Sequence, residues 1–333
     1  MQTALFEKKK RRGYIRLPAN EPLIVCNGVG VNSYAMLIAM NRKKIRPEVI
    51  TFADLECEKP ETYDALAILD DWLDSVSFPK TTVCKLTTKP ETPYNNLEGN
   101  CISNETLPSL AFGMKSCSVK WKQTPQDKFI MGTSKRSLIQ YDPHPVWTEC
   151  KKRGIKPIKL IGYDAGKADI RRSKSLKKFD TNFRYRYPLQ QLGWDRRDCV
   201  KAITEEGLPI PIKSACFFCP ASKQWEMFWL AAMHPDLFMR ALNMEYVALT
   251  GHHSRYDEVE FGASWEDMVR DADSFPSTNT TVGLGRKVAW GQWARVNGIT
   301  DRLGNYIGNR DELLDRAITL NEEADNALDV RAC

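Results

Sequence analysis

The sequence has no apolar run that approaches the roughly 18 residues needed to cross a membrane. Its N-terminal stretch, Met1–Arg16, is basic, but no apolar segment of the secretory kind follows it. Internal repeats and low-complexity tracts are also absent. These absences exclude, in turn, a membrane-spanning protein, a secreted protein and a repeat protein. We expect a cytoplasmic protein in a reducing compartment.

The chain is mildly basic, with 48 lysines and arginines against 42 aspartates and glutamates. A net charge of +6 favours binding of phosphates in general and does not by itself require DNA or RNA. The cluster Lys8–Arg12 is either a solvated arm or a contact for nucleic acid. Within 333 residues there is room for a nucleotide-binding core and a smaller second domain.

Short apolar runs alternate with helical patterns along most of the chain. We predict strands at Pro22–Cys26, Pro47–Phe52, Thr81–Leu86 and Lys156–Tyr163, a loop-rich stretch at Thr88–Cys117, and helices at Tyr34–Asn41, Pro60–Val76, Asp195–Glu206, Gln224–Met233, Pro235–Leu249, Trp265–Asp271 and Asp311–Asn326. This alternation predicts an α/β fold with a doubly wound, mostly parallel sheet. The predicted domains are a basic arm (1–20), an α/β domain (21–255) and a mainly helical C-terminal region (256–333).

A glycine-containing turn lies between the first predicted strand and its helix. Gly28 and Gly30 allow close approach of a ligand to the backbone, and Ser33 adds a hydroxyl. The unpaired N–H groups at a helix N-terminus attract anions, so this pattern predicts a phosphate site. A tight turn without a ligand is the alternative.

Ten cysteines are scattered through the chain, and two of them form the motif Cys216-Phe217-Phe218-Cys219. A pair at this spacing can hold two corners of a tetrahedral metal or cluster site. Cys101 and Cys117 are candidates for the other two corners, and reduced cysteines without metal are the alternative. Five of the remaining six cysteines lack partners at ligand spacing, which favours buried apolar positions for them: Cys26, Cys57, Cys84, Cys150 and Cys199.

Several sequence blocks between about Pro22 and Glu245 resemble the phosphoadenosine phosphosulfate (PAPS) reductase-like family of PP-loop proteins, in a style similar to its bacterial and bacteriophage members. The blocks are Asn27–Ser33, Phe52–Tyr63, Cys117–Pro125, Asp164–Arg172, Tyr187–Leu189, Gly193–Cys199 and Lys213–Lys223. The resemblance implies a fold of the adenine nucleotide alpha hydrolase-like type. It also implies an enzyme, either an oxidoreductase that reduces a sulfonucleotide or a sulfurtransferase driven by ATP.

The resemblance implies roles for individual residues as well. ATP or PAPS would be bound by Asn27, Gly28, Gly30, Asn32, Ser33 and Asp54, with Mg²⁺ near the phosphates and with Ser33, Asp54 and Arg171 as catalytic residues. An anionic substrate would be bound by Lys120, Lys122, Asp164, Arg171 and Arg172. A [4Fe-4S] cluster, or zinc as the alternative, would be held by Cys101, Cys117, Cys216 and Cys219. Implied partners are a sulfur donor or redox protein and, through basic segments, nucleic acid.

The chain departs from the family pattern at identifiable positions. Asn27 and Val29 replace glycines of the loop, and Asn32 stands where many PP-loops carry aspartate. A Glu-Cys-Gly motif is absent, and Cys333 lies in a different context. The altered loop and the missing motif favour nucleotide or nucleic-acid binding without catalysis. ATP-dependent thiolation of nucleic acid is the other alternative to PAPS reduction.

Three further features lie outside these sequence blocks. The basic run Lys174, Lys177, Lys178, Arg184 and Arg186, interleaved with Phe183 and Tyr185, is either a nucleic-acid contact or a solvated loop. His234 reads as a turn or cap residue. Gly283–Arg286 is a candidate for a second anion-binding turn.

Overall fold

The computed structural model describes residues 13–18, 20–114, 116–175, 180–251, 283–285 and 288–323. The chain divides into two compact units. The first comprises Met1–Phe52, Ala65–Thr82 and His144–Pro211; the second comprises Ala53–Asp64, Val83–Pro143 and Ile212–Cys333. The predicted domain boundaries near residues 20 and 255 adjoin or fall in residues outside the described ranges, so they stay predictions.

A five-stranded parallel sheet organises the fold. Its strands are β1 (Leu23–Asn27), β2 (Val49–Asp54), β3 (Thr81–Lys85), β4 (Ile158–Ile161) and β5 (Arg184–Arg186), in the order β3-β2-β1-β4-β5. Strand β1 pairs in parallel with β2 and with β4, and β4 pairs in parallel with β5. β1 and β2 are almost wholly buried, which explains their continuous apolar runs. The predicted α/β fold with a parallel sheet is confirmed.

Twelve helices of the described residues, all α-helical, accompany the sheet. They are α1 (Val31–Arg42), α2 (Pro60–Ser75), α3 (Leu97–Ser103), α4 (Thr124–Met131), α5 (Pro145–Lys152), α6 (Lys167–Ser175), α7 (Pro188–Leu192), α8 (Arg196–Glu205), α9 (Gln224–Met233), α10 (Pro235–Gly251), α11 (Trp290–Val296) and α12 (Arg310–Glu323). A 3₁₀ turn (Ser109–Phe112) and a π-helix (Ser118–Gln123) lie between α3 and α4. Among the described residues, none of the helices has the length and apolarity that a bilayer span requires.

In the first unit, helix α1 is buried on nearly every side. Residues Tyr34–Met40 are at most 1% exposed, because the helix follows β1 directly and packs against α7 and α8. Helix α8 begins with a capping box in which the Asp195 side chain accepts from the backbone N–H of Asp198 and the Asp198 side chain accepts in return. This cap fixes the start of α8, where Arg196 lies.

The second unit has its own apolar core, built around α9. This helix packs against α10 and α12, and its tryptophans and phenylalanine lie in one buried group with Trp290 and Trp293 of α11. The predicted helices at Gln224–Met233, Pro235–Leu249 and Asp311–Asn326 correspond to α9, α10 and α12. The predicted helix at Trp265–Asp271 lies outside the described residues.

The stretch Thr88–Cys117, predicted to be loop-rich, also contains short helical elements. Helix α3 lies inside this stretch and begins where the Asn96 side chain accepts from the backbone N–H of Gly99, at 2.7 Å. Cys101 is therefore a helical residue, and Cys117 directly precedes the π-helix.

Candidate functional site

The first part of the candidate site is the turn between β1 and α1 in the first unit. Strand β1 lies between β2 and β4, so the connections that follow β1 and β4 diverge at this place in the sheet. In open α/β sheets, ligands bind at such a switch point, beyond the carboxyl ends of the strands. The turn Gly28–Gly30 occupies this position.

Two backbone N–H groups of the turn already have acceptors within the turn. The N–H of Val29 donates to Asn27 Oδ1 at 2.8 Å, and the N–H of Gly28 donates to Ser33 Oγ at 2.9 Å. The N–H groups of Val31 and Asn32, in the first turn of α1, have no acceptor within the helix by its geometry. An anion would therefore meet the first turn of α1 before it could compete for Gly28 and Val29.

Val29 adopts a backbone conformation that valine rarely adopts. Its φ is +52°, in the left-handed region, and its side chain is wholly buried. A β-branched residue in this region is strained by about 1–3 kcal/mol. The turn thus has the backbone path of a glycine turn although the sequence supplies no glycine at this position.

Asn32 is the centre of a polar cluster at the N-terminus of α1. Its Nδ2 donates to Asp164 Oδ2 at 3.1 Å and to Asp169 Oδ2 at 3.2 Å. Its Oδ1 accepts from Arg196 Nη1 at 3.3 Å. An aspartate at position 32 would lose both donated bonds and add a third carboxylate, which explains the amide found here.

The cations near this cluster agree only in part with those that the sequence indicated. Arg196 was not singled out, yet it contacts Asn32, and burial lowers the pKa of its guanidinium. Arg172 pairs with Asp169 at 3.0 Å, and Arg171 is exposed on α6. Burial, followed by the charge of Asp164, raises the pKa of Asp169. The predicted roles of Asp164, Arg171 and Arg172 stay predictions.

Asp54, at the end of β2, lies in the second unit and has several partners of its own. Its Oδ1 accepts from the Tyr63 hydroxyl at 2.8 Å and from the N–H of Glu56 at 2.7 Å, and its Oδ2 lies 3.3 Å from Lys85 Nζ. Only 6% of the residue is exposed. A nucleotide or Mg²⁺ would have to exchange some of these contacts, so the predicted role of Asp54 stays a prediction.

The second unit also contains the predicted metal ligands, none of which is in a disulfide. Cys216 and Cys219 lie in the turn before α9, where the N–H of Cys219 donates to the carbonyl of Cys216 at 3.0 Å. Cys101 and Cys117 lie in the α3 and π-helix region described above. A fifth cysteine, Cys57, has its carbonyl bonded to the N–H of Phe217 at 3.0 Å.

The environment of these thiols favours the protonated form. Burial raises the pKa of Cys57 and of Cys101 to about 12. Burial also raises the pKa of Cys216 well above its ordinary value, with the Glu58 carboxylate adding to the rise and Lys122 opposing it. A metal bound to these thiols would have to displace their protons, as thiolate ligation generally requires.

The chemistry of the donor set suits a thiolate-ligated group, but no single-ion site is assembled. Within the described ranges, no three histidine, cysteine, aspartate or glutamate side chains are grouped to hold a metal ion. Tetrahedral zinc with bonds of 2.3 Å needs sulfur atoms about 3.8 Å apart. Side chains would have to turn toward a common centre, and Cys101, Cys117, Cys216 and Cys219 stay predicted ligands.

The two lysines predicted to bind substrate have partners within the second unit. Lys122 Nζ lies 3.2 Å from Glu58 Oε1, and the side chain of Glu58 is buried. Lys120 lies over the rings of Tyr94 and Trp121, at 5.4 and 5.1 Å from their centroids. Their predicted role in substrate binding is untested by these contacts.

Two of the further sequence features, His234 and the turn at Gly283, lie in described parts of the chain. His234 ends α9, and its Nε2 lies 2.6 Å from Glu61 Oε1, which is consistent with a cap residue. The N–H of Leu284, in the predicted anion-binding turn, donates to the carboxylate of Glu245 at 2.6 Å. The acceptor at this turn is therefore a side chain of the same protein. Arg286 lies outside the described residues, as do Lys177, Lys178, Cys333 and the Lys8–Arg12 cluster.

Comparisons with known proteins give a distant structural likeness. No model of a protein family matches the chain, and neither does any curated protein. Among solved structures, the chain is similar to the U34-tRNA thiolase NcsA from Methanococcus maripaludis with its [4Fe-4S] cluster, with a TM-score of 0.35 and 11% sequence identity. That alignment covers 73% of this chain and 74% of the thiolase. A likeness this distant supports no conclusion about activity.

Proposed function

We propose that the protein is an enzyme that binds ATP at the β1–α1 turn and uses it to drive a transfer of sulfur. The observation that carries this proposal is the position of the turn at the switch point of a parallel sheet, with the first turn of α1 and Arg196 as donors. In-line displacement at a nucleotide phosphate needs such fixed donors near the developing negative charge.

The sulfur part of the proposal rests on the cysteines of the second unit. Five thiols that form no disulfide, Cys57, Cys101, Cys117, Cys216 and Cys219, belong to or pack against one apolar core group. A [4Fe-4S] cluster bound there would supply an iron site for the sulfur that is transferred. The residues of the chain would hold this cluster and exclude water from it.

The acceptor of the sulfur is proposed to be a base in nucleic acid. Among the described residues of the predicted basic run, Lys174 and Arg184 are exposed, and Tyr185 lies between Arg184 and Arg186 on β5. Proteins that bind single-stranded nucleic acid typically place positive side chains along its phosphate backbone and an aromatic side chain against a base. Reduction of a sulfonucleotide is the second candidate, which the exposed Arg171 favours because it could bind a sulfate.

Substitution of Asn32 tests the nucleotide site. Asn32→Asp places a third carboxylate beside Asp164 and Asp169, so we expect ATP and PAPS to bind at least about tenfold more weakly, a loss of about 1.4 kcal/mol. Asn104→Asp, on the exposed end of α3, makes the same chemical change away from the turn and is the matched control. Calorimetric titration measures both variants, and hydrolysis of bound ATP is followed in parallel.

The outcomes separate the candidate functions. Weaker binding of ATP by Asn32→Asp alone, together with ATP turnover in the wild type, supports the proposal. Selective binding of PAPS would favour sulfonucleotide reduction. ATP binding without turnover would favour a binding protein, as the internal bonds of the β1–α1 turn would suggest. Equal affinities for wild type and Asn32→Asp would remove the nucleotide site from this turn.

A further inference from the structure

Cys57 lies beside the Cys-x-x-Cys turn although 158 positions separate it from Cys216 in the sequence. Glu58 and Cys216 form an antiparallel bridge, and the N–H of Phe217 donates to the Cys57 carbonyl at 3.0 Å. The segment that follows β2 is therefore held alongside the segment that carries the turn. The backbone contact holds Cys57 beside Cys216 and Phe217, at the start of the Cys-x-x-Cys turn.

Cys57 also contacts the helix that carries Cys101. The N–H of Glu98 donates to Cys57 Sγ at 3.4 Å, and Cys101 lies three residues further along α3, on the same buried face as Glu98. Cys57 and Cys101 are each 2% exposed, and Cys216 is 8% exposed, in one apolar core group. Cys57 thus lies between the Cys101 segment and the Cys216 segment.

Burial of three thiols in one group calls for an explanation beyond packing. Buried cysteines often serve as small apolar side chains, but these come from three distant segments that meet at Cys57. The buried Glu58 and the ammonium group of Lys122 lie next to them, so the core here is polar as well as apolar. Lysine near several thiols would offset the negative charge that thiolate ligands bring to a bound cluster.

We propose that Cys57 is a ligand of the metal centre and joins the Cys101 side of the site to the Cys216 side. This inference rests on the proposed function, because it assumes that the second unit binds an iron–sulfur cluster. It changes the ligand set that the sequence indicated, in which Cys57 had no role. The remaining ligands come from Cys101, Cys117, Cys216 and Cys219.

Iron binding tests the role of Cys57. The full chain is purified without oxygen as the wild type, as Cys57→Ala and as Cys84→Ala; iron, acid-labile sulfide and absorption near 400 nm are measured. We expect about four irons per wild-type chain and at least a twofold loss in Cys57→Ala. Cys84 is a buried cysteine of the same unit, on β3 and outside the core group that contains Cys57, so Cys84→Ala should retain its iron.

A second measurement uses the wild type alone, in case Cys57→Ala does not fold. The anaerobic protein in dilute urea is alkylated with iodoacetamide, with and without an iron chelator, and labelled peptides are counted by mass spectrometry. Chelation should speed alkylation of Cys57 several-fold and leave that of Cys84 unchanged. Equal rates at Cys57, or full iron in a folded Cys57→Ala, would overturn the role of Cys57 and leave the cluster in place. A wild-type protein without iron would overturn both the cluster and the role of Cys57 in binding it.

Discussion

At the scale of single residues, Val29 shows a conflict between local preference and the geometry of the site. Its side chain is buried, and burial of a valine stabilises a protein by about 1.5–3 kcal/mol. Its positive φ opposes this by about 1–3 kcal/mol. The two effects are of similar size, which explains how valine can stand in a turn that glycine would form without strain.

Paired substitutions at position 29 separate the two effects. Val29→Ala and Val29→Gly lose almost the same packing, but alanine keeps the penalty of the left-handed region, about 1–2 kcal/mol. We expect Val29→Gly to be more stable than Val29→Ala by about 1 kcal/mol, measured by urea unfolding. At Val25, a buried residue of β1 outside the positive-φ set, the order should be reversed, because glycine weakens a strand. If the alanine variant were more stable than the glycine variant at both positions, Val29 would not be strained.

At the scale of elements, Glu245 joins α10 to the start of α11. Its carboxylate accepts from the N–H groups of Leu284, Trp290 and Gly291, at 2.6–2.8 Å, and the residue is wholly buried. A Cβ at Gly283 would lie 2.5 Å from Glu245 Oε1, so the turn needs glycine there as well as for its φ of +71°. The helix start is capped by a side chain from another helix.

The stability conferred by Glu245 should depend on pH. Burial raises its pKa from 4.5 to about 7, although the three N–H bonds oppose the rise. The pKa of Glu245 is higher in the folded state than in the unfolded state. The stability that Glu245 contributes is therefore fully present below pH 4.5, and it is lost as the pH rises through 7. The free energy of unfolding of the wild type, relative to Glu245→Gln, should fall by roughly 3 kcal/mol over this window. Urea unfolding at several pH values measures the difference, and a constant difference would contradict the raised pKa.

At the scale of the whole molecule, the sequence predicted the strands and helices that have a clear short-range pattern of apolar residues. The buried strands of a parallel sheet form continuous apolar runs, so β1, β2 and β4 could be read directly. Helices α9, α10 and α12 are long enough for their patterns to be clear. Helix α3 was missed because its seven residues are mixed in character, and only the cap at Asn96 marks its start.

The candidate site was less predictable because distant segments build it. Nothing near Arg196 in the sequence indicates its contact with Asn32, which depends on the packing of α1 against α8. Cys57 was excluded from the metal ligands for lack of a nearby cysteine, and its neighbours on α3 and before α9 follow only from the tertiary structure. Spacing motifs detect ligands on one segment and miss those that folding brings together.

Removal of the metal should loosen a defined part of the second unit. If thiolates from Cys57, Cys101 and Cys216 bind one cluster, its binding free energy contributes to the stability of the segments that carry them. Chelation should then increase hydrogen exchange in α3 and in the turn before α9, since these segments would lose their common ligand. Helix α1, in the first unit and without a cysteine, is the internal reference. Mass spectrometry of peptides before and after chelation measures both, and equal changes in α1 and α3 would contradict a cluster bound by these three cysteines.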